Sequence, residues 1–432
     1  MAAQSAAGKI SAYLKGRYIP FFQTGLLITA TLMLTACGSG GAGSTQTAPP
    51  NPDGVSGTLT SPPATAGNTL PIVIDAGPGR NEINVGYVSV TLCTPGASGA
   101  APACQTIDHV QLDTGSYGLR LLKSALYSNL NLPSVTSAGG QAIGECATFA
   151  IGVNWGSVRL ADIYLGGEVA KSVPFQEIGD QPGGASGVPA DCSATGAIQD
   201  SQLSLGSNGI LGVGLLVNDC DTCLTQAVPA SYYTCSAAGC TNSTVTAAQV
   251  VQNPVARFSQ DNNGVLLKLP AVSTAGTAIP VTGSLIFGIG TQTNNAMNGA
   301  TVYTTDAYGN FITTFNNAKL SFSYIDSGSN AIFFTDTSIP LCTVNTWVYC
   351  PPTSPLLLSA SNSSASGTPS ATVDFNIINL DQLSSNTVAA DIGGTSVYGQ
   401  FAWGLPFFYG RSVFTAISGK KTPAGFGPYY AY

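Results

Sequence analysis

The stretch His109-Val-Gln-Leu-Asp-Thr-Gly-Ser-Tyr-Gly-Leu-Arg-Leu-Leu122 places the tetrapeptide Asp113-Thr-Gly-Ser116 between two apolar segments. A second stretch, Phe322-Ser-Tyr-Ile-Asp-Ser-Gly-Ser-Asn-Ala-Ile-Phe-Phe334, has Asp326-Ser-Gly-Ser329 in the same setting, 213 positions after the first. Each stretch predicts a strand, a tight loop that starts with an acid, and a second strand. One such loop would carry little information, because Asp, Gly and Ser are common in turns. Two loops with matching flanks indicate a duplicated unit that brings two carboxyl groups together.

Composition limits the classes of protein to which the chain can belong. Charged residues make up only 8% of the 432 residues, glycine occurs 51 times, and Ser, Thr and Asn recur throughout. This profile is typical of a β-rich protein outside the cytoplasm, and not of a helical bundle or a disordered chain. The net charge of −7, with no basic run after residue 17, argues against nucleic acid as a partner.

Histidine can contribute little chemistry, because His109 is the single histidine in the sequence. A histidine-rich zinc site is excluded, and a Ser-His-Asp triad would depend on this one residue, with no partners marked elsewhere. We interpret His109 as an ordinary strand residue. Acid–base chemistry would therefore fall to carboxyl groups, and we expect neither a metal ion nor a cofactor.

The first part of the chain has the pattern of an export signal. In residues 1–37, a basic start and an apolar stretch lead to Leu34-Thr-Ala-Cys37. These four residues resemble the lipobox of bacterial lipoproteins, which implies cleavage before Cys37 and lipidation of it; an ordinary secretory signal is the alternative. Gly38 favours the outer membrane of the cell envelope, by resemblance to lipoprotein sorting rules. The Gly/Ser/Pro-rich residues 38–69 predict a flexible tether, so the lipid anchor would be the sole membrane contact.

Ten cysteines follow Cys37, and an even number in an exported chain implies disulfides. Two pairs are close in sequence, and a third could bracket the segment between its members: Cys93–Cys104, Cys342–Cys350 and Cys146–Cys192. The other four lie in a Cys-rich insertion over residues 217–250 and have the look of a zinc site, although export favours two disulfides: Cys220, Cys223, Cys235 and Cys240. Which of these four would pair with one another stays open.

Many short apolar or alternating segments, separated by turn residues, indicate an all-β body. The Ser/Pro-rich residues 351–371 predict a surface loop. Three glycine-containing apolar elements accompany the acid loops: Asn208-Gly-Ile-Leu-Gly-Val-Gly214, Gly283-Ser-Leu-Ile-Phe-Gly288 and Ala402-Trp-Gly404. Their order along the chain, with a hairpin after the first acid loop, resembles the pepsin-like aspartic proteases. The lipobox and the insertion add a resemblance to a family of uncharacterised bacterial lipoproteins that carry the same acid motifs.

The resemblance to pepsin-like proteases implies a bilobal all-β fold with a cleft between two lobes, residues 70–270 and residues 271–432. It implies that Asp113 and Asp326 are the catalytic pair. One carboxylate would activate a water, and the other carboxyl, protonated, would donate to the scissile carbonyl of a peptide. The residues that brace the loops and hydrogen-bond the carboxyls would be Thr114, Gly115, Ser116, Ser327, Gly328 and Ser329.

Some positions depart from the pepsin-like pattern. The flap of that family carries a tyrosine where this chain has Phe149, which lacks the hydroxyl, and Trp155 could fill the flap space. Arg120 stands where a tryptophan is usual. Two functions therefore stay open. One is a monomeric endopeptidase that acts on peptides or proteins; the other is an inactive surface protein that binds peptide or polysaccharide or supports envelope assembly.

Overall fold

The computed structural model of the protein describes residues 56–63, 67–97, 103–274, 276–278, 280–384, 387–396 and 399–432. The predicted signal segment, Cys37 and the tether up to residue 55 lie outside this part of the chain. The end of the predicted tether is in contact with the folded body. Gly57 is hydrogen-bonded to Asn129, and Thr60 forms a bridge with Cys104. Ordered contacts thus begin before residue 70.

Strands dominate the described residues, and the helices are short. The strands are β1 (Thr69–Ile74), β2 (Gly86–Cys93), β3 (Cys104–Asp113), β4 (Tyr117–Leu122), β5 (Ala142–Phe149), β6 (Gly152–Leu165), β7 (Glu168–Ile178), β8 (Gly209–Val213), β9 (Tyr232–Ser236), β10 (Gly239–Asn242), β11 (Gly264–Lys268), β12 (Val281–Phe287), β13 (Val302–Thr304), β14 (Phe311–Phe315), β15 (Ala318–Ile325), β16 (Ile332–Phe334), β17 (Leu356–Ser363), β18 (Ser370–Ile377), β19 (Gly393–Thr395), β20 (Gln400–Trp403), β21 (Ser412–Ala416), β22 (Lys421–Thr422), β23 (Gly425–Phe426) and β24 (Tyr429–Ala431). The α-helices are α1 (Ala190–Ser193) and α2 (Gln202–Leu205), and the 3-10 helices are Lys123–Ala125, Pro182–Gly184, Thr222–Leu224, Pro254–Arg257, Thr293–Asn295, Leu380–Gln382 and Leu405–Phe408.

Hydrogen bonding groups the strands into three sheets. The largest has fifteen strands in the order β10-β9-β5-β6-β7-β4-β8-β3-β2-β1-β12-β11-β21-β24-β13. The second has seven, in the order β18-β17-β14-β15-β20-β16-β19, and β22 pairs with β23. The prediction of an all-β protein is therefore confirmed. Within the described residues, none of the helices has the length and apolar character needed to cross a membrane.

The same three-strand arrangement surrounds each acid loop. β3 leads into the first loop and β4 leaves it, while β8 lies between them, parallel to β3 and antiparallel to β4. β15, β16 and β20 repeat this pattern around the second loop, with β20 parallel to β15 and antiparallel to β16. β8 and β20 are buried along their whole length, which explains the apolar sequence of β8 and of Phe401-Ala-Trp403 in β20. Each acid loop therefore begins and ends in a strand of a closely packed three-strand unit.

A continuous hydrophobic core joins the first sheet to the second. In the second sheet, aromatic rings supply much of it: Phe401 lies 4.5 Å from Trp403 and 5.3 Å from Phe334 between ring centroids. The prediction of a surface loop over residues 351–371 is wrong, because β17 and the start of β18 lie within it. Their outer side chains face solvent in alternation, so a polar sequence can still form this hairpin.

Candidate active site

The structure brings the two acids of the repeated loops together. Asp113 is the last residue of β3, and Asp326 directly follows β15. Their side chains are hydrogen-bonded to each other. Both residues are buried, with 6% and 4% of their surface exposed. Two carboxyl groups from loops far apart in sequence therefore form one site at the junction of the two sheets.

The first loop wraps around its own carboxyl group. The backbone N–H of Gly115 donates to Oδ1 of Asp113 at 2.7 Å. The hydroxyl of Ser116 donates to Oδ2 of the same carboxyl. Hydrogen bonds to a carboxylate favour its charged form and fix its plane. The loop therefore presents the Asp113 carboxyl in a single orientation.

The second loop repeats these bonds. Asp326 accepts from the Gly328 N–H at 2.8 Å and from the Ser329 hydroxyl at 2.8 Å. Each glycine also faces the opposite acid. A Cβ on Gly115 would lie 2.5 Å from Cγ of Asp326, and one on Gly328 would lie 2.6 Å from Oδ1 of Asp113. Any side chain there would separate the two acids, which is why both motifs need glycine.

Two hydroxyls tie the loops to each other. The N–H of Ser327 donates to Oγ1 of Thr114 at 2.9 Å, and the N–H of Thr114 donates to Oγ of Ser327 at 3.1 Å. Each hydroxyl then donates across the junction, Thr114 to the carbonyl of Ile325 at 3.3 Å and Ser327 to that of Leu112 at 2.8 Å. The spacing of the acids is therefore set by four buried hydrogen bonds.

The surroundings of the pair raise the pKa of Asp326. Burial raises the pKa of Asp326 well above its usual range, and the charge of Asp113 and the hydrogen bond to it raise that pKa further. The bonds from Ser329 and Gly328 oppose this rise. Because two like charges this close are unfavourable, the raised pKa of Asp326 favours a pair that carries one proton. The site thus combines one acid and one base.

A hairpin covers the acid pair. β5 and β6 are joined at a tip where Phe149, Ala150 and Ile151 line a small space above the carboxyls. Its volume of about 30 Å³ is enough for about two water molecules. The other residues that line it are Gln111, Asp113, Asn154, Gln199, Leu205, Ile210, Asp326, Gly328 and Ser329. Of the two predicted flap residues, Phe149 lines this space. Trp155 does not, and its ring packs edge-on against Tyr233 instead, 5.3 Å between centroids.

The Cys-rich insertion is part of the covering hairpin, which the sequence did not reveal. β9 pairs with β5 over Ala142–Glu145, and β10 pairs with β9. The sheet therefore continues as β10-β9-β5-β6, so the hairpin has a four-stranded base instead of two free strands. The disulfide Cys146–Cys192 also joins β5 to α1. Only the few residues at the tip extend beyond this base.

Five disulfides connect the described cysteines. The three pairs expected from the sequence are present, and the four clustered cysteines pair as two local bridges, as the export context favoured. The pairs are Cys93–Cys104, Cys146–Cys192, Cys220–Cys223, Cys235–Cys240 and Cys342–Cys350. All of them lie outside the acid loops, so they stabilise the frame and the cover of the site.

His109 lies apart from the acid pair. Its ring is within 3.2 Å of a carboxylate oxygen of Asp75 and 3.4 Å of one of Asp108. Hydrogen bonds to Asp108 and then to Asp75 raise the pKa of His109 to about 9. The imidazole is therefore protonated at neutral pH, and this charge state does not suit a general base.

Arg120 forms a charged cluster that sequence patterns did not predict. Its guanidinium contacts the carboxylate of Glu145 on β5 and that of Asp219, the latter at 2.8 Å. The exposed fractions of the Arg120 and Glu145 side chains are 3% and 1%. The guanidinium also lies over the ring of Phe149, 5.7 Å from its centroid. The signal available in the sequence was Glu145 itself, a lone charge in an apolar strand.

One family model matches residues 64–432, a range that includes both acid loops, the hairpin and the insertion. Its description is "protein of unknown function (DUF3443)". No curated protein matches the chain.

Proposed function

Because the chain belongs to the DUF3443 family of proteins of unknown function, we propose its function from the site: it is an aspartic-type endopeptidase. The observation that carries this proposal is the buried, hydrogen-bonded pair Asp113 and Asp326. The pair stands on two like loops that are tied to each other by Thr114 and Ser327. Structural acids at turns need neither a shared proton nor reciprocal loop bonds.

The chemistry follows from the two states of the pair. A water in the space above the carboxyls would lose a proton to the ionised carboxylate of Asp113 and attack the peptide carbonyl. Asp326 would donate its proton to the carbonyl oxygen, which gives a tetrahedral intermediate with two hydroxyls. As the C–N bond breaks, the proton taken up by Asp113 would pass to the leaving amine, and one hydroxyl of the intermediate would return a proton to Asp326. Neither a metal ion nor a cofactor takes part in these steps. Activity should decline as the pH rises through the raised pKa of Asp326.

We further propose that the scaffold is a pepsin-like bilobal fold. The repeat of β3, β8 and β4 by β15, β20 and β16 supports two lobes related by a pseudo-twofold axis. Strands from late in the chain, β12, β21 and β24, join the sheet of the N-terminal part. They would link the lobe over residues 70–270 to the lobe over residues 271–432.

Five disulfides support the proposal of an exported protein, because disulfides persist in oxidising compartments. With the lipobox, we propose a lipoprotein of the outer membrane that is monomeric and acts on peptides or proteins. Labelled palmitate should be incorporated into the wild type and not into Cys37→Ser. Equal labelling of both would contradict the proposed anchor.

The enzymatic proposal is tested with a mixed peptide library from acid to neutral pH. Asp113→Asn and Asp326→Asn should abolish cleavage, while Asp374→Asn, on the exposed face of β18, should retain it. A statine-type inhibitor, which mimics the tetrahedral intermediate, should block the wild type. If a folded, disulfide-intact wild type cleaves nothing at any pH, the peptidase proposal is wrong. Retention of a peptide without cleavage would then favour the inactive binding protein.

A further inference from the structure

Arg120 connects the first acid loop to the cover of the site. It lies on β4, which leaves the first acid loop, and its side chain is almost fully buried. Such a buried cation is costly unless carboxylates neutralise it. Glu145, in the middle of β5, and Asp219, at the start of the insertion, are the acids in contact with it. Burial and the charge of Glu145 raise the pKa of Asp219 well above its usual range, while Arg120 opposes this rise. The cluster thus joins three segments that are distant in sequence.

The partners of Arg120 are themselves held in place. The hydroxyl of Tyr232 donates to the carboxylate of Asp219 and lies 2.8 and 2.9 Å from its two oxygens. That hydroxyl also accepts the N–H of Val251 at 2.9 Å. The backbone carbonyl of Glu145 accepts the amide of Gln176 at 2.8 Å. The guanidinium therefore has a fixed position, from which it reaches the ring of Phe149.

The contact with Phe149 acts on the part of the hairpin that must move. The space between the tip and the carboxyls is small, about 30 Å³, and partly open to solvent, so a peptide that binds directly over the acids would have to displace the tip. The strands below the tip are fixed by pairing with β9 and by the disulfide Cys146–Cys192. Phe149, the last residue of β5, is a point at which the tip can be held or released on the β5 side. On the β6 side, the amide of Gln199 donates to the carbonyl of Ile151 at 3.3 Å.

We propose that Arg120 is a positioning residue that holds Phe149, and with it the hairpin tip, closed over the acid pair. This role rests on the proposed peptidase function. The positive guanidinium is attracted to the face of the aromatic ring, an interaction that is strongest where water is excluded. Arg120 and Phe149, two of the positions that depart from the pepsin-like pattern, are thus in contact with each other. The cation–π contact of Arg120 with Phe149 would hold the tip in place of the tyrosine hydroxyl of the pepsin-like pattern.

Hydrogen exchange measured by mass spectrometry tests this role without relying on catalysis. Phe149→Leu keeps an apolar side chain but removes the ring, and the amides of residues 145–155 should exchange about five times faster or more. Phe149→Tyr keeps the ring and should stay within about twofold of the wild type. Arg120→Lys keeps the charge but loses the fork that binds two carboxylates, so it should also accelerate exchange. Residues 356–377, the β17–β18 hairpin, serve as the control for an intact fold.

The results separate the two proposals. If tip exchange is unchanged in Phe149→Leu while the control hairpin is also unchanged, the role of Arg120 is refuted. If Arg120→Lys also accelerates exchange in the control hairpin, the role of Arg120 is decided by comparing Phe149→Leu with Phe149→Tyr. For a cleaving wild type, Phe149→Leu should raise KM more than it lowers kcat; the reverse split would contradict the role. A wild type that cleaves nothing refutes the peptidase function and leaves the exchange test valid.

Discussion

The bonds between the two acid loops can be tested with one nearly isosteric substitution. Thr114→Val keeps the size and the β-branched shape of the side chain but removes its hydroxyl. The Ser327 N–H then loses its acceptor at 2.9 Å, and the Ile325 carbonyl loses a donor at 3.3 Å. Residue 114 is 1% exposed, so water cannot replace either partner. The variant isolates the tie between the loops and leaves both acids in place.

The expected loss of stability follows from these two groups. A buried N–H without a partner costs about 1–3 kcal/mol, and the longer bond to Ile325 contributes about 0.5–1.5 kcal/mol. Thr114→Val should therefore lower the free energy of unfolding by about 2–4 kcal/mol. Thr114→Ser, which keeps the hydroxyl, should lose less than about 1.5 kcal/mol, in line with the deletion of one methyl group.

Urea unfolding at fixed pH, followed by tryptophan fluorescence with the disulfides intact, measures both variants. Combining Thr114→Val with Ser327→Ala should give a coupling energy of about 0.5 kcal/mol or more, because both residues belong to one hydrogen-bond network. Equal urea midpoints for the wild type and Thr114→Val, or strict additivity in the double variant, would refute the idea that these hydroxyls hold the loops together.

Three further outcomes are expected. Burial and the charge of Asp113 raise the pKa of Asp326, so the proton on Asp326 stabilises the fold below pH 4. This stabilisation is lost as the pH rises. In thermal melts, the Tm of Asp326→Asn relative to that of the wild type should therefore increase towards pH 8. Burial raises the pKa of Glu82 to about 7. The free energy of unfolding of Glu82→Gln, measured by urea titration relative to the wild type, should therefore increase by about 3 kcal/mol between pH 4 and pH 8. Trp403→Phe removes the indole N–H that donates to two buried side-chain oxygens, each at 3.1 Å, and should cost about 2–4 kcal/mol in urea unfolding.

The acid loops and the strands around them could be predicted from the sequence because their signals are local. Asp113 and Asp326 each lie between two apolar segments, and these segments form buried strands. The glycines of β8, and Gly404 directly after β20, mark places where two backbones approach closely. The β17–β18 hairpin was missed because its polar, Ser-rich composition imitates a loop, whereas one of its faces is simply in water.

The environment of the site could not be predicted, because it depends on pairing over long distances. Arg120 meets carboxylates that lie 25 and 99 positions further along the chain, and no local pattern indicates such a match. Likewise, nothing in the sequence of β9 indicates that it pairs with β5. Cysteine spacing showed that the insertion was cross-linked, but only the register of the strands shows that it supports the cover of the acid pair.

The reciprocal bonds between Thr114 and Ser327 also bear on when the site comes into being. Each acid loop is completed by atoms from the other, and the last strand, β24, joins the large sheet between β21 and β13. A chain synthesised from its N-terminal end therefore holds only half of the site until the second acid loop has been made. Under the proposed peptidase function, the protein would be latent until both loops have folded against each other.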